Sequence, residues 1–196
     1  MIKKYIDINK EEEEKLELFY NLHLESRINL TAIKDREEFY IKHYLDSIYY
    51  FKKYEKPFGA LVDIGSGGGF PGVVISIFYP EINVTLVESI GKKCDFLNNA
   101  IEKLMLNNIK VINDRAENIK TVKYNIVTAR GVSSIKELMK NTIHLTNVGS
   151  KWIMYKGEKL FDELNDAKKI INKEQMNVET IRIDEPFTRS YCIISR

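Results

Sequence analysis

Leu61-Val-Asp63-Ile-Gly65-Ser-Gly67-Gly-Gly69-Phe70-Pro71-Gly72 is the stretch that decides the fold. Leu61–Ile64, apolar but for Asp63, has the length and flanks of a short buried strand. The glycines that follow suit a turn whose backbone takes positive φ or lies directly against a ligand. Val73–Phe78 then reads as a helix opening on that turn, and a helix N-terminus favours a carboxylate or a phosphate. Strand, glycine-rich turn and helix in this order make a ligand cradle at the carboxyl end of the first strand of an open α/β sheet. The dinucleotide fingerprint is met at Gly65 and Gly67, but its third glycine is replaced by Phe70, whose ring would block close helix–strand packing. This argues against a nicotinamide dehydrogenase. A phosphate loop fails as well, because Gly67 and Gly72 have the right gap but Val73 stands where Lys is required.

The remaining pattern, Asp-x-Gly-x-Gly-x-Gly over Asp63–Gly69, resembles the first motif of class I S-adenosylmethionine-dependent methyltransferases. That resemblance implies a loop backbone lying against the methionine portion of the cofactor, with Asp63 close to its charged end. Downstream, strands and helices alternate, which predicts right-handed βαβ units and a mostly parallel sheet with helices on both faces. Val84–Val87 is a second strand ending at Glu88, 25 residues after Asp63 and therefore one βαβ step away. An acid there can accept hydrogen bonds from two ribose hydroxyls. Gly91–Leu106 reads as a helix with Phe96, Leu97, Ile101, Leu104 and Met105 inward, and Ile109–Asn113 as a third strand. The loop Asp114-Arg-Ala-Glu117 would then lie over the adenine end of such a cofactor. Tyr124–Thr128 is a fourth strand running into Ala129-Arg130-Gly131. At this strand end the methyl would meet its acceptor, and a cation there can bind a phosphate or a base edge. Ser134–Thr146 reads as a helix and Ser150–Tyr155 as a strand leading into Lys156-Gly157. Leu160–Asn172 is a further helix. Asn177–Ile183 and Tyr191–Ser195 form a closing antiparallel pair with Arg189 near the rim.

Upstream of the cradle the pattern is helical. Residues 10–28 repeat apolar positions at Leu16, Phe19, Leu22 and His23, with Glu11–Glu14 in the first turn, where negative charge suits the helix dipole. Asp35-Arg-Glu-Glu38 resembles a capping box and starts a second helix over 36–53, buried along Ile41, Tyr44, Leu45, Ile48 and Phe51. His43 and Asp46 lie three apart on its flank, placed to hydrogen-bond each other or to orient a substrate. The expected organisation is an N-terminal helical extension over 1–56 and a methyltransferase domain over 57–196.

Composition narrows the class further. The 196 residues are 44% hydrophobic and 30% charged, an ordinary globular balance, with room for a sizeable core. A net charge of +2 permits a nucleic-acid substrate without demanding one. Cys94 and Cys192 form neither a CxxC pair nor a Cys/His cluster, so neither a zinc site nor a disulfide framework is expected, and a reducing cytoplasm is the default. No apolar run reaches the length of a signal peptide core or a membrane span.

Seven motifs then occur in one order: Asn29-Leu-Thr31, His43-Tyr-Leu-Asp46-Ser47, Asp63 to Gly72, Glu88-Ser-Ile-Gly-Lys-Lys93, Arg115-Ala-Glu117, Thr128-Ala-Arg130 and Lys156-Gly157. In this set and order they resemble the bacterial 16S ribosomal RNA methyltransferase G family, also called glucose-inhibited division protein B, from about residue 15 to the C-terminus. The resemblance implies a class I methyltransferase fold and methylation of N7 of a guanine in small-subunit rRNA, on naked 16S rRNA or on the 30S particle. Cofactor contacts are implied at Asp63, Gly65, Gly67, Phe70, Glu88, Ser89, Ile90, Ala116 and Glu117. Arg130 is implied at the edge of cofactor and substrate, and Lys156, His43 and Asp46 join it in positioning the substrate. No metal and no membrane are implied. Glu88 replaces an Asp common in the family but keeps a bidentate carboxylate, and a long basic C-terminal tail seen in some members is missing. Two other readings share these features: transfer to a small molecule or a protein, and a non-catalytic RNA-binding assembly factor that keeps the fold.

Overall fold

Seven strands form one sheet in the order β3-β2-β1-β4-β5-β7-β6 in the computed structural model, which describes residues 1–120 and 122–196. The strands are β1 (Ala60–Ile64), β2 (Asn83–Glu88), β3 (Ile109–Asn113), β4 (Tyr124–Arg130), β5 (Thr146–Lys156), β6 (Asn177–Ile183) and β7 (Arg189–Ser195). The first five run parallel, and β7 lies antiparallel to both β5 and β6. The chain steps outward from β1 to β3 and then crosses back to β4 on the other side of β1. The order reverses between β1 and β4, so their carboxyl ends open a crevice, the usual ligand position of an open α/β sheet.

Helices cover both faces. Helices α1 (Lys10–Glu25), α2 (Arg36–Phe39), α3 (Asp46–Lys53), α4 (Gly72–Phe78) and α5 (Gly91–Lys103) lie on one side, and α6 (Ile135–Thr142) and α7 (Leu160–Lys173) on the other. Ile2, Leu16, Phe19, Tyr44, Leu45 and Ile48 share one apolar core with Leu61, Val73 and Leu97. The N-terminal helices are therefore a layer packed on one face of the sheet, reaching from α4 and α5 to β5 and β7. The opposite core gathers Val62, Val127, Ile135, Met139, Trp152 and Leu160.

Local chemistry sets the helix boundaries. Asn9 and Glu12 form a reciprocal capping box at the start of α1, which ends at Glu25, short of residue 28. Asp35 caps α2 through the Glu38 N–H at 2.8 Å. The helix expected over 36–53 is interrupted by a wider, π-type turn at Tyr40–Leu45 that holds His43 and leads directly into Asp46. Such turns recur at functional sites because the extra residue re-aims the side chains around it. The expected burial of Met105 is corrected: α5 stops at Lys103, Met105 takes φ 52°, and its side chain is 75% exposed. The Leu106 N–H closes that turn onto the Ile101 carbonyl, so the chain reverses where a continued helix would have faced the core.

Candidate active site

The loop after β1 is bent by Gly65, Gly67 and Gly69, all at positive φ. At Gly69 no side chain fits, since a Cβ would stand 2.7 Å from a Val73 methyl and 2.9 Å from the Phe19 ring. Two carboxylates fasten the loop. Asp63 lies beneath it, fully buried, and accepts from the Gly72 N–H at 3.1 Å and from the Thr128 hydroxyl at 2.9 Å. Burial raises the Asp63 pKa to about 6, against the hydrogen bonds that favour its charged form. Glu88, at the end of β2, accepts from the Gly67 N–H through one oxygen and from the Ile90 N–H through the other, each at 2.9 Å. Each of those oxygens keeps a second lone pair for a ligand hydroxyl.

A groove of about 230 Å3 runs along this loop, lined by Gly65, Ser89, Ala116, Glu117 and Val132 among others. It is small for a ligand pocket. Val132 accounts for part of that, because a Cβ on Gly65 would meet its methyls at 2.6 and 2.8 Å. The expected contact residues fall into two groups here. Gly65, Ser89, Ala116 and Glu117 line the groove, and Glu88 and Ile90 border it through the loop bonds just described. Asp63 and Phe70 lie beneath the loop. Phe70 is 5% exposed, and its ring is stacked on His43 with centroids 4.4 Å apart and on His23 at 5.1 Å.

Beside the groove lies a larger cavity of about 1230 Å3, and Val132 and Ser133 belong to the walls of both. Arg130, His43, Asp46 and Lys156 all face it. The side chains of His43 and Asp46 do not bond each other; this part of the expectation is corrected, because Arg130 stands between them. Its guanidinium donates to Asp46 at 3.0 Å, to His43 Nδ1 at 3.0 Å and to the Lys42 carbonyl at 2.9 Å, and lies 5.2 Å from the Phe70 ring. Since Nδ1 accepts from an arginine, Nε2 carries the ring proton and donates to the Thr31 hydroxyl at 2.6 Å. Burial first, and the neighbouring Arg130 second, push the His43 pKa down to about 3. His43 is thus a neutral spacer with both nitrogens engaged.

Asp46 has a second cation that was placed by sequence only near the rim. Arg189, from the start of β7, binds both Asp46 oxygens, at 2.8 and 2.7 Å. One carboxylate between two guanidiniums leaves the cluster one positive charge in excess, facing the cavity. Lys156 adjoins this cluster, its carbonyl accepting from Arg189 at 3.2 Å, and its Nζ donates to the Ser133 carbonyl at 2.8 Å and to Glu163 at 2.7 Å. Glu163 also accepts from the Ile135 N–H at 2.9 Å. Thr128, Glu163 and the double role of Arg189 were not anticipated: Thr128 and Arg189 meet their partners only through the sheet, and Glu163 meets Lys156 where α7 follows β5.

A glycine cradle, a carboxylate ending the second strand and a groove at the strand ends fit S-adenosylmethionine. Its ribose hydroxyls would fall to Glu88, its adenine to the Ala116–Glu117 segment, and its methionyl end to the Gly65 side of the loop. Within this strand order these features define a class I S-adenosylmethionine-dependent methyltransferase, and the chain is an enzyme of that class. A methyltransferase from Pyrococcus furiosus shares the fold with a TM-score of 0.64 at 14% identity, over 93% of this chain and 96% of its own. The family described as rRNA small subunit methyltransferase G (GidB) matches residues 12–189, and the chain belongs to it. Among its relatives, the ribosomal RNA small subunit methyltransferase G of Mycoplasma capricolum subsp. capricolum is 37% identical, covering 93% of this chain and 80% of its own. The protein of the same description from Desulforamulus reducens is 40% identical, covering 97% and 84%. No helix among the described residues is long and apolar enough to cross a membrane, and no group of three or more His, Cys, Asp or Glu among them is placed to hold a metal.

Proposed function

We propose that this enzyme transfers a methyl group from S-adenosylmethionine to N7 of a guanine in 16S ribosomal RNA, on the naked RNA or the 30S particle, in the cytoplasm. One observation carries the choice of acceptor atom: the histidine and the two acids that surround Arg130 and Lys156 are all paired, and the cavity's other carboxylates, Asp35, Glu37 and Glu38, lie apart from them at the start of α2. His43 is held neutral with both nitrogens bonded, Asp46 is occupied by two arginines, and Glu163 by Lys156 and a backbone N–H. Guanine N7 needs no base. Its lone pair forms the bond to the methyl carbon while the carbon–sulfur bond breaks and its electron pair leaves on sulfur. Positive charge passes to the purine and no proton is lost.

The protein's task is then alignment and charge. Holding nucleophile, methyl and sulfur in line is a proximity effect. Arg130 and Lys156, which both face the cavity, suit a phosphate or the guanine O6, leaving the N7 lone pair free for the methyl carbon. Asp46 and His43 orient Arg130 without entering the chemistry. A stacked base cannot enter such a cavity, so the target must lie in an open loop or be extruded.

The experiment is transfer of a labelled methyl group to small-subunit rRNA and to 30S particles from a strain lacking the modification, with the product base mapped. N7-methylguanine at one site supports the reading, and the better substrate identifies the stage of assembly. Cofactor binding without transfer to either would overturn it in favour of a small-molecule or protein acceptor or a non-catalytic role.

A further inference from the structure

One buried histidine has no part in that scheme. His23, in the last turns of α1, is 8% exposed and packed among Phe19, Phe39, Phe70 and Phe96. Both ring nitrogens face carbonyl oxygens at 2.9 Å: Nδ1 faces Phe19, one turn back in the same helix, and Nε2 faces Gly68 in the glycine-rich loop. Carbonyls only accept, so each contact calls for an N–H, and a neutral imidazole has one. The two carbonyls are not equivalent. That of Phe19 sits within α1, where the i→i−4 ladder supplies a backbone donor. That of Gly68 has no other hydrogen-bond partner among the described residues. A buried carbonyl without a donor is costly, so the ring proton belongs on Nε2. Burial also holds His23 below its ordinary pKa, which agrees with a single ring proton.

We infer that His23 is a positioning residue for the cofactor: its Nε2–H holds the Gly68 carbonyl and fixes the path of the loop from the N-terminal helical layer. The loop is then restrained on three sides, by Asp63 at Gly72, by Glu88 at Gly67 and by His23 at Gly68. Only the third restraint comes from outside the sheet. This gives the N-terminal layer a direct part in shaping the cofactor groove, and it rests on the reading of that groove as the S-adenosylmethionine site.

Two substitutions separate the contacts. In His23→Gln the amide nitrogen falls near the position of Nε2 and can donate to Gly68. In His23→Asn it falls near Nδ1 and can reach only Phe19. S-adenosylmethionine affinity is measured by calorimetry on wild type and both variants, with thermal unfolding alongside and KM for cofactor and RNA determined separately. The expected result is an affinity within about threefold of wild type for the Gln variant and about tenfold weaker for the Asn variant. The KM for cofactor should follow these changes and the KM for RNA should not. Equal affinities in the two variants, or losses that merely follow their melting temperatures, would overturn the assignment. The 15N spectrum of the wild-type imidazole supplies an independent test, since a bare Nε2 would also overturn it. Failure of the wild type to bind S-adenosylmethionine would instead overturn the reading of the groove.

Discussion

Replacing Asp46 by Asn removes the one negative charge between two guanidiniums. The Asp46 side chain is 1% exposed, and those of Arg130 and Arg189 are 14% and 22% exposed. Asn keeps a single acceptor oxygen for the three contacts now made by two, and its NH2 group turns a donor toward an arginine. Breaking a buried ion pair by removing one partner costs about 3–5 kcal/mol, because the other charge is left desolvated and unpaired. Both arginines retain some contact with water, so the lower end applies, about 3 kcal/mol. In a chain of this size that loss corresponds to a fall in Tm of about 6–12 °C. The assay is a double-mutant cycle in urea using Asp46→Asn, Arg189→Met and the pair. The Asp46–Arg189 contact has good bidentate geometry, so the cycle should return a coupling of about 1.5 kcal/mol or more. S-adenosylmethionine affinity should change little, since Asp46 faces the larger cavity, while kcat falls as Arg130 loses its anchor. A coupling indistinguishable from zero, or an Asp46→Asn variant within about 0.5 kcal/mol of wild type, would refute the arrangement of these three side chains.

Other expectations concern the loop and the two displaced pKa values. Gly69→Ala forces a side chain at φ 94° against Val73 and Phe19 and should cost about 2–4 kcal/mol in urea unfolding; a variant as stable as wild type would contradict the packing under the loop. Glu88→Gln removes a charged acceptor from the Gly67 and Ile90 N–H groups and, in the proposed cofactor site, from the ribose. It should weaken S-adenosylmethionine about 10- to 100-fold by calorimetry, and unchanged affinity would remove Glu88 from the cofactor site. His43 has a pKa of about 3 in the folded chain against an ordinary 6.5, so the unfolded chain takes up the proton first as pH falls. Its contribution is present above pH 6.5 and is lost progressively toward pH 3. Asp63 runs the other way: raised from 3.8 to about 6, it contributes about 3 kcal/mol that is present below pH 3.8 and lost as pH rises through 6. In urea unfolding between pH 4 and 8, His43→Gln should therefore flatten the acid loss and Asp63→Asn should steepen it; slopes unmoved by either change would exclude both assignments.

The alternation of elements was legible because the central strands are buried on both faces and read as apolar runs broken only by the site residues Asp63 and Thr128, as in Leu61–Ile64 and Ile126–Ala129. The cradle was legible because its glycines answer a local steric demand that few residues satisfy. Met105 was not, since helical spacing alone cannot announce a left-handed residue that ends the helix two positions earlier. Neither was the π-type turn, which leaves the apolar stripe of Tyr44, Leu45 and Ile48 intact. The partners of Asp46 lie 84 and 143 residues away, brought together only when β4 and β7 take their places in the sheet. Sequence placed His43 and Asp46 on one flank, but only the fold supplied the arginine that stands between them.

Val132 and Ser133 form part of the wall of both the groove proposed for the cofactor and the larger cavity. A partition held in common turns two binding equilibria into one linked system. If an occupant of the groove displaces Val132 and thereby reshapes the cavity, RNA affinity changes by some factor, and linkage requires that RNA change cofactor affinity by that same factor. The methyl donor and its demethylated product differ at the sulfur alone, so any difference in how they seat against this segment becomes a difference in how firmly RNA is held. Turnover would then carry its own release signal, written in the position of two residues.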